Sequence, residues 1–557
     1  MGCDRLTHPL VREDGVLRQA AWDEALDRAA DGFRRNIERH GPDSFAMLSG
    51  ARSTNETSYV GQKFTRVVIG TNNVDSCDRA RHAPSVAGLS AVFGSGGGTS
   101  SYQEVEDTDV MIMWGSAARN AHPILFQHVL KGIRKGARMF AVDPRRTGTI
   151  QWADLWLGLN VGTDLPLAHA VAREIIHAGL HNVAFIERAT VGFEEFREYV
   201  EPWTLSAAEQ VTGVPGHAIR ELAHAYARAD RAQLCWTLDV TEHDNVTGNV
   251  RAMINLSLLT GHVGRYGSGL SPLRGQNNVQ GGGDMGAIPD RLPGFQDILD
   301  PEARERFEGV WGRPIQPRYG LDLTQMLEAM AKREVTTCYM IGENPARSEA
   351  GSPACVKRLS MLDHLVVQDI FRTKTAQLAD VVLPAGAAWC EADGTFTSSE
   401  RRVQRVHKAL EPPGEARDDI WIVCEIARRM GHDWAYDGPE EVWNELRALS
   451  PQHRGMTYQR LADLRGIQWP CPSEDSLEPS YLHGRLWESD PVKRGAPAPF
   501  AVPRPAPPVD DEYPLGLTTA RRPDSYDTGV RSPGFAPPPR RGSVAAAVEG
   551  RSGAGHV

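Results

Sequence analysis

The chain has 557 residues, more than a single hydrophobic core supports, so its length predicts two to four domains. A hydrophobic content of 41% and a charged content of 24% are typical of a soluble globular protein. The net charge of -10 gives no electrostatic reason to expect a nucleic acid or an anionic membrane as a partner.

Seven short apolar runs, each ending in a polar or glycine-containing turn, predict buried β-strands. They cover residues 107–117, 137–146, 155–164, 232–243, 336–345, 365–371 and 379–386. Stretches with helical periodicity lie between several of these runs. Strand, turn and helix repeated in this order predict parallel α/β sheets covered on both faces. Ligands of such sheets bind beyond the carboxyl ends of the strands, which is where the polar turns lie.

The turns of the first half carry side chains suited to a phosphorylated ligand. After three successive strands stand Gly115 and Ser116, then Asp143, Arg145 and Arg146, then Gly162 and Asp164. Carboxylates at strand ends commonly hold a ribose or a base, and arginines hold phosphates. Each turn alone fits an ordinary strand-to-helix connection equally well, with Asp164 capping the helix that follows. Their shared polar character favours a large ligand that spans several strands.

Residues 72–89 place one cysteine, two arginines and one histidine within six positions: Cys77, Arg79, Arg81 and His82. A histidine before a proline-containing turn is more often structural than catalytic. The two arginines favour the other interpretation, because crowded cations in a glycine-rich context are tolerated mainly where an anion binds. The segment therefore predicts an anion site, and a structural histidine remains the alternative.

Residues 271–289, SPLRGQNNVQGGGDMGAIP, have a composition that disfavours both helix and strand. Five glycines allow the backbone to approach a ligand closely, and the amide side chains supply hydrogen bonds to it. Arg274 adds a forked cation. The stretch predicts a ligand-binding loop, with a flexible surface loop as the alternative.

Residues 389–419 repeat the polar pattern in the second half, with a DGT turn, hydroxyl groups and the pair Arg401 and Arg402. A solvated linker is the alternative. Two ligand-rich halves predict one nucleotide-like group in each. We expect one α/β domain from residues 1–76 plus 280–425 and a second, inserted one from residues 77–279. A loop-rich connecting region at 426–510, one more strand within 511–535 and a disordered tail at 536–557 complete the prediction.

The eight cysteines are spread over the chain without a CxxC pair, which predicts reduced thiols and neither a disulfide framework nor a zinc site. The N-terminal residues lack the apolar core of a signal peptide, and no apolar run is long enough to span a bilayer. These features predict a cytoplasmic protein.

Nine motifs of the sequence carry a family resemblance: PLRGQNNVQGGGDMGAIP, NNVDSCDRARHAPSV, GSAARNAHP, VDPRRT, VGTD, IGENPARS, VVQDIF, ADVVLP and DGTFTSSERRVQRV. Together they resemble the catalytic subunit of molybdopterin-dependent formate dehydrogenases, within the dimethyl sulfoxide reductase superfamily. The resemblance runs from about residue 4 to about residue 529. It implies two Rossmann-like, doubly wound α/β domains, one inserted in the other, and places the start of a truncated C-terminal β domain at 511–535.

The resemblance also implies a cofactor and a reaction. The cofactor would be bis-molybdopterin guanine dinucleotide with molybdenum or tungsten, and the reaction the oxidation of formate to carbon dioxide, with a possible electron-transfer subunit as partner. Arg274 would hold the carboxylate of formate, and His82 would stand beside the metal. The cofactor-binding residues would be Gly115, Ser116, His122, Asp143, Arg145, Arg146, Gly162, Asp164, Gln276, Asn277, Gly342, Glu343, Asn344, Gln368, Asp369, Thr373, Gly394, Thr395, Glu400 and Arg401.

The sequence departs from the family pattern at one decisive position. Arg81 stands where the family has the cysteine or selenocysteine that ligates the metal, and an arginine has no lone pair to donate. We therefore expect no protein ligand to the metal. We also expect the chain to begin just after the family's iron–sulfur domain and to hold no cluster ligands. Impaired formate oxidation is the expected consequence; the alternative is a non-catalytic remnant or accessory subunit that binds the pterin or an anion.

Overall fold

The computed structural model describes residues 5–242, 245–349, 351–476 and 480–505, together with one short pair of strands beyond them. In this part of the chain no helix combines the length and the apolar character needed to cross a bilayer. The strands are β1 Leu10–Glu13, β2 Val16–Gln19, β3 Phe45–Ser49, β4 Val74–Ser76, β5 Val110–Trp114, β6 Arg138–Val142, β7 Leu155–Leu157, β8 Thr190–Val191, β9 Ala232–Trp236, β10 Gly269–Pro272, β11 Arg291–Leu292, β12 Gln296–Asp297, β13 Thr337–Ile341, β14 His364–Asp369, β15 Val381–Pro384, β16 Gly394–Thr397, β17 Arg402–Val406, β18 Ile467–Gln468, β19 Ala498–Pro499, β20 Gly516–Leu517 and β21 Val548–Glu549.

Most helices are amphipathic segments that cover the faces of the sheets. They are α1 Trp22–His40, α2 Asn55–Lys63, α3 Ala83–Phe93, α4 Ala118–Ala121, α5 Pro123–Arg134, α6 Asp164–His177, α7 Val183–Ala189, α8 Phe193–Val200, α9 Leu205–Thr212, α10 Gly216–Arg228, α11 Leu238–Thr241, α12 Val246–Thr260, α13 Val279–Asp284, α14 Pro301–Trp311, α15 Leu323–Ala331, α16 Pro345–Ser348, α17 Ser352–Leu359, α18 Asp419–Arg429, α19 Pro439–Leu449, α20 Tyr458–Asp463 and α21 Pro491–Arg494. A π-helical segment, Phe64–Ile69, continues α2.

The first compact unit comprises residues 5–79 and 276–476 of the described chain. Its main sheet has the strand order β2-β1-β15-β14-β13-β3-β4, in which the last five strands are parallel. Alternate strand residues face opposite layers. Phe45 packs edge-on against Phe33 of α1, with ring centroids 5.2 Å apart, whereas Leu48 belongs to the apolar cluster that contains Met326 of α15. On one side of the β3–β13 pair the sheet continues to β4, and on the other side it continues to β14 and β15, so the strand order reverses between β3 and β13.

The second compact unit comprises residues 80–275 and 480–505. Its sheet has the order β10-β9-β5-β6-β7, and all five strands are parallel. Ile112 and Phe140 belong to a large apolar cluster with residues of α6, α10 and α12, whereas Met111 and Met139 belong to a smaller one with residues of α5. The strand order reverses between β5 and β9, so both units have the doubly wound arrangement.

The predicted fold class is confirmed, and each of the seven predicted apolar runs coincides with a strand: β5, β6, β7, β9, β13, β14, which begins one residue before its run, and β15. Two local expectations differ from the structure. Helix α13 runs through the three consecutive glycines of the segment whose composition disfavours helices. The stretch expected to be loop-rich contains α19 and α20, whose buried side chains include Trp443 and Leu461. The predicted C-terminal β domain and tail, residues 511–557, lie outside the described residues except for β20 and β21.

The close approach of Gly50 to the end of β13, at the reversal point of the first unit, gives a stability prediction. A Cβ atom on Gly50 would lie 2.7 Å from the carbonyl oxygen of Ile341 and 2.8 Å from that of Gly342. We therefore expect Gly50→Ala to destabilise the protein by roughly 1 to 3 kcal/mol and to lower the midpoint of thermal unfolding. Gly309→Ala is the control, because no described atom outside the backbone of its own helix, α14, and its chain neighbours lies within 4 Å of its Cβ position. Equal midpoints for both variants would contradict the prediction.

Candidate active site

The carboxyl ends of β5 and β9 meet at the reversal point of the second unit. Gly115, directly after β5, has a φ of 54°, and a Cβ atom there would lie 2.9 Å from Cβ of Asp239. Glycine therefore permits the two turns to approach each other. The hydroxyl of Thr237, after β9, donates a hydrogen bond to the carbonyl oxygen of Gly115 and fixes the contact.

Three carboxylates gather at this edge: Asp143 after β6, Asp164 at the start of α6, and Asp239. Asp143 is 3% exposed, and its Oδ1 accepts a hydrogen bond of 2.8 Å from the backbone N–H of Arg145. Burial, with the charges of Asp239 and Asp164 adding to it, raises the pKa of Asp143 to about 7, although the N–H of Arg145 opposes the rise. Asp164 does not cap its helix; its Oδ1 accepts from Nε1 of Trp114 at 2.7 Å.

The other predicted residues of this unit lie along the same edge or beside it. Ser116 is buried, and Gly162 has a φ of 80° with no atom within 4 Å of its Cβ position. The Arg146 guanidinium lies 4.6 Å from the ring centroid of Trp156. His122 donates from Nε2 to the backbone carbonyl of Arg274 at 2.9 Å, so it holds the backbone of the predicted substrate arginine.

His82 and Arg274 lie close together and are both buried, with 1% and 4% of their surfaces exposed. His82 precedes α3, and Arg274 follows β10, where its Nη2 donates to the carbonyl of Gly96 at 3.0 Å. Burial holds the pKa of His82 well below its ordinary value, and the charge of Arg274 lowers it further. Arg81 is half-buried, and its charge contributes a smaller effect in the same direction. The histidine is therefore neutral beside a cation.

The first unit has a narrow, open cleft at its own reversal point. The cleft lies beyond the carboxyl ends of β13, β14 and β15, and the predicted residues Gly342, Gln368 and Asp369 line it. Sequence reasoning missed three further lining residues, Arg52, Trp389 and Asp419. Trp389 is half exposed and lies three residues after a predicted strand, which is the signal that could have identified it.

Several predicted residues of the first unit are engaged within the protein. Gln368 accepts a hydrogen bond from Tyr339 and donates one to Asp419, so both ends of its amide are occupied. Oδ1 of Asn344 accepts from the hydroxyl of Thr375 at 2.8 Å. Thr373 accepts from the N–H of Ala376 and thereby forms a turn. Glu343, next to this turn, is buried at the end of β13.

Residues 389–419 form the antiparallel strands β16 and β17, so this stretch is not a solvated linker. Thr395 donates from both its N–H and its hydroxyl to Glu56, and Gly394 leaves the space that this carboxylate occupies. Arg401 is fully buried and donates to the carbonyl of Trp469, while Glu400 pairs with Arg402 at 3.2 Å.

Residues 275–289 are held by side-chain contacts and do not form a flexible surface loop. Asn278 is fully buried; it donates to the carbonyl of Ser53 at 2.8 Å and accepts from the N–H of Thr397 at 2.7 Å. The carbonyl oxygen of the Gln276 side chain accepts from Cys77, whereas Asn277 is exposed. Asn278 thus fastens this stretch to the rest of the first unit, although it was not among the predicted cofactor-binding residues.

A model of the family described as molybdopterin oxidoreductase matches residues 5–429. The chain belongs to this family. It is 39% identical to formate dehydrogenase H of Escherichia coli over 94% of this chain and 74% of that protein. It is 40% identical to the F420-dependent formate dehydrogenase 2 subunit alpha of Methanococcus maripaludis over 95% of this chain and 77% of that protein. The resemblance noted in the motifs is confirmed: the chain is a formate dehydrogenase-like molybdopterin oxidoreductase.

A solved structure of acetylene hydratase from Pelobacter acetylenicus has the same fold. Its TM-score is 0.72 at 21% sequence identity, and the match covers 96% of this chain and 78% of that one. At this identity the likeness concerns the fold alone.

The family implies a molybdopterin cofactor with molybdenum or tungsten, and the residues present fit such a group. In the second unit, Oδ2 of Asp143 and Oγ of Ser116 are buried and have no hydrogen-bond partner among the described residues. A buried polar atom left unpaired costs about 1 to 3 kcal/mol, and a polar ligand at this edge removes that cost. The cleft of the first unit offers a comparable place at its own reversal point.

The raised pKa of Asp143 gives a prediction about the protein without its cofactor. Because its folded pKa of about 7 exceeds its ordinary value of 3.8, the folded state loses stability as the pH rises from about 4 to about 7. Asp143→Asn removes this loss. We expect the variant to raise the thermal midpoint more at pH 8 than at pH 4.5, measured on protein produced without molybdopterin synthesis. A midpoint difference independent of pH would show that Asp143 titrates normally.

Proposed function

We propose that this chain binds bis-molybdopterin guanine dinucleotide with molybdenum or tungsten and oxidises formate to carbon dioxide. The observation that carries the proposal is the buried pair of Arg274 and neutral His82 at the carboxyl edge of a parallel sheet. A cation and a neutral imidazole, both shielded from water, suit a small carboxylate such as formate. The similarity to formate dehydrogenases over nearly the whole chain supports the same substrate.

Each unit supplies the groups that a guanine dinucleotide needs. In the second unit, Asp143 and Asp164 offer acceptors for the N–H groups of a base or the hydroxyls of a ribose, and Arg145 and Arg146 offer donors to phosphates. In the first unit, the cleft beside Gly342 and Asp369 is the corresponding place. One dinucleotide for each unit accounts for the repeated polar edge.

The reaction converts formate into carbon dioxide, one proton and two electrons. The metal and its pterins, when bound, supply the acceptor for the two electrons. Arg274 pairs with the carboxylate in a dry environment, where a bidentate ion pair orients the C–H bond. His122 donates a hydrogen bond to the backbone carbonyl of Arg274 and so fixes that backbone. The orientation of the guanidinium therefore does not depend on the Arg274 side chain alone. The name "subunit alpha" of the methanogen relative supports a second subunit that receives the electrons.

Arg81 favours a second candidate, in which the chain binds the pterin or an anion without efficient turnover. A guanidinium supplies no lone pair to the metal and adds positive charge near His82. Anion binding is therefore retained or strengthened while ligation of the metal is lost. Metal analysis together with a formate-dependent dye reduction assay separates the two candidates.

The carboxylate of Asp164 gives a direct test of cofactor binding. Removing a hydrogen-bonded carboxylate from a base or ribose costs on the order of 1 to 3 kcal/mol, so Asp164→Ala should lower the pterin content of the purified protein. Acid extraction and pterin fluorescence measure that content. Because Asp164 also accepts from Trp114, Asp164→Asn is the matched variant: it keeps an oxygen acceptor and the shape but removes the charge. Unchanged content in both variants would contradict the assignment.

The position of Arg81 gives a test of catalysis. We expect the protein to oxidise formate slowly and Arg81→Cys to be faster by at least about ten-fold, which corresponds to a barrier lower by about 1.4 kcal/mol. The rate is measured by dye reduction and divided by the bound metal. Arg81→Ala is the control, since it removes the cation without adding a ligand. If the unaltered protein matches Arg81→Cys, this position does not lack a metal ligand.

A further inference from the structure

The indole ring of Trp156 is fixed beside the polar turn that follows β6. Trp156 lies in β7, the last strand in the order β10-β9-β5-β6-β7, where it pairs with Ala141 of β6. Its Nε1 donates a hydrogen bond of 2.8 Å to the backbone carbonyl of Asp143. A Cβ atom on Gly158 would lie only 2.7 Å from Cζ2 of the ring, so glycine leaves the space that the indole occupies. These contacts hold the ring in one orientation.

The fixed ring supports the guanidinium of Arg146. The central carbon of the guanidinium lies 4.6 Å from the centroid of the indole ring, which is within the range of a cation–π contact. Arg146 is exposed, and an unrestrained arginine side chain samples many rotamers. A planar guanidinium that stacks on an aromatic face keeps its N–H donors at its edge, where they can still reach an acceptor. The ring therefore restricts the side chain without occupying its donors.

The backbone of the same turn is fixed by hydrogen bonds of its own. Oδ1 of Asp143 accepts from the N–H of Arg145 at 2.8 Å, and the N–H of Thr147 donates to the carbonyl of Arg145 at 2.9 Å. Arg146 lies between the residues that make these bonds, so the position of its Cα is defined. A fixed Cα and a stacked guanidinium together give a donor group that is ordered before any ligand binds, which lowers the entropic cost of binding.

We propose that Trp156 is a positioning residue that holds the Arg146 guanidinium in place to donate to a phosphate group of a nucleotide-like ligand. The inference rests on the proposed function for the ligand, whereas the stacked position of the guanidinium does not depend on it. Two N–H groups of one guanidinium match two oxygens of a phosphate, so a guanidinium held in one place suits this acceptor better than a mobile cation does. Among the described residues no carboxylate pairs with Arg146, so its donors are not committed to the protein.

Nitrogen NMR tests the position of the guanidinium directly. In protein labelled with ¹⁵N-arginine, the Nε–H signal of Arg146 is identified as the one that disappears in Arg146→Lys. The ring current of an indole shifts the signal of a proton above its face, so we expect this signal to move in Trp156→Leu and to stay in place in Trp152→Leu. Trp152 is the matched control, because it is 44% exposed and stacks on no guanidinium among the described residues. An unchanged Arg146 signal in Trp156→Leu would overturn the proposal, whatever the protein binds.

The rate at which purified protein releases its pterin tests the role of Trp156 in binding. The protein is diluted, and the pterin that leaves the chain is measured by fluorescence after filtration. We expect release to be about three-fold faster in Trp156→Leu than in the unaltered protein, which is the effect of losing an exposed cation–π contact. Trp156→Phe keeps an aromatic face under Arg146 and should release pterin more slowly than Trp156→Leu. Trp152→Leu should match the unaltered protein.

A double-mutant cycle separates positioning from a purely structural role. Without Arg146 the ring has no guanidinium to hold, so Trp156→Leu should add nothing to the release rate of Arg146→Ala. The same acceleration by Trp156→Leu in both backgrounds would overturn the positioning role while leaving the proposed function intact. Purified protein that holds no pterin would contradict the proposed function, and the nitrogen spectrum would still decide whether Trp156 positions Arg146.

Discussion

A parallel sheet that is covered on both faces brings its polar groups to one edge, and the site of this protein depends on that constraint. The strand interiors are buried and apolar, so hydrogen-bonding side chains can stand only where the strands end. At the reversal point the turns diverge and leave space between them. Each unit meets this condition separately: Gly115 lets the turns after β5 and β9 approach in one, and Gly50 lets β3 pass close to the end of β13 in the other. Small residues at the crossings are what make the polar edges compact.

Much of the fold could be predicted from the sequence, because the apolar runs of the strands and the periodicity of the helices are both local signals. Runs such as Val110–Trp114 are apolar on both faces, and the helices between them repeat with a period near 3.6. What could not be predicted depends on distant partners. Helix α13 forms across three glycines because Asn278, just before it, is held by Ser53 and Thr397, which are remote in sequence. Composition gives the intrinsic preference of a segment, and tertiary contacts overrode it here.

The candidate site was predictable in position but not in detail. A polar residue beside a strand end can bind a ligand or form hydrogen bonds within the protein, and the sequence does not distinguish these two cases. Asp143 leaves one carboxylate oxygen without a partner in the described part of the chain, whereas both ends of the Gln368 amide are occupied. Ser85 shows the reverse limit: nothing in the motif around His82 marks it, yet its Oγ accepts a hydrogen bond from Trp236, 151 residues further along the chain.

The electrostatics around His82 connect the unusual residue at position 81 with the proposed anion site. Burial and the charge of Arg274 keep the pKa of the ring low, and Arg81 lowers it further. A thiolate or selenolate in that place would act in the opposite direction, because a nearby anion stabilises the protonated ring. Under the proposed function, Arg81 withholds a ligand from the metal, and its charge also favours the neutral form of the His82 ring. On that proposal the positive charge around His82 is retained while a ligand to the metal is lost, so anion binding and turnover are separable in this chain.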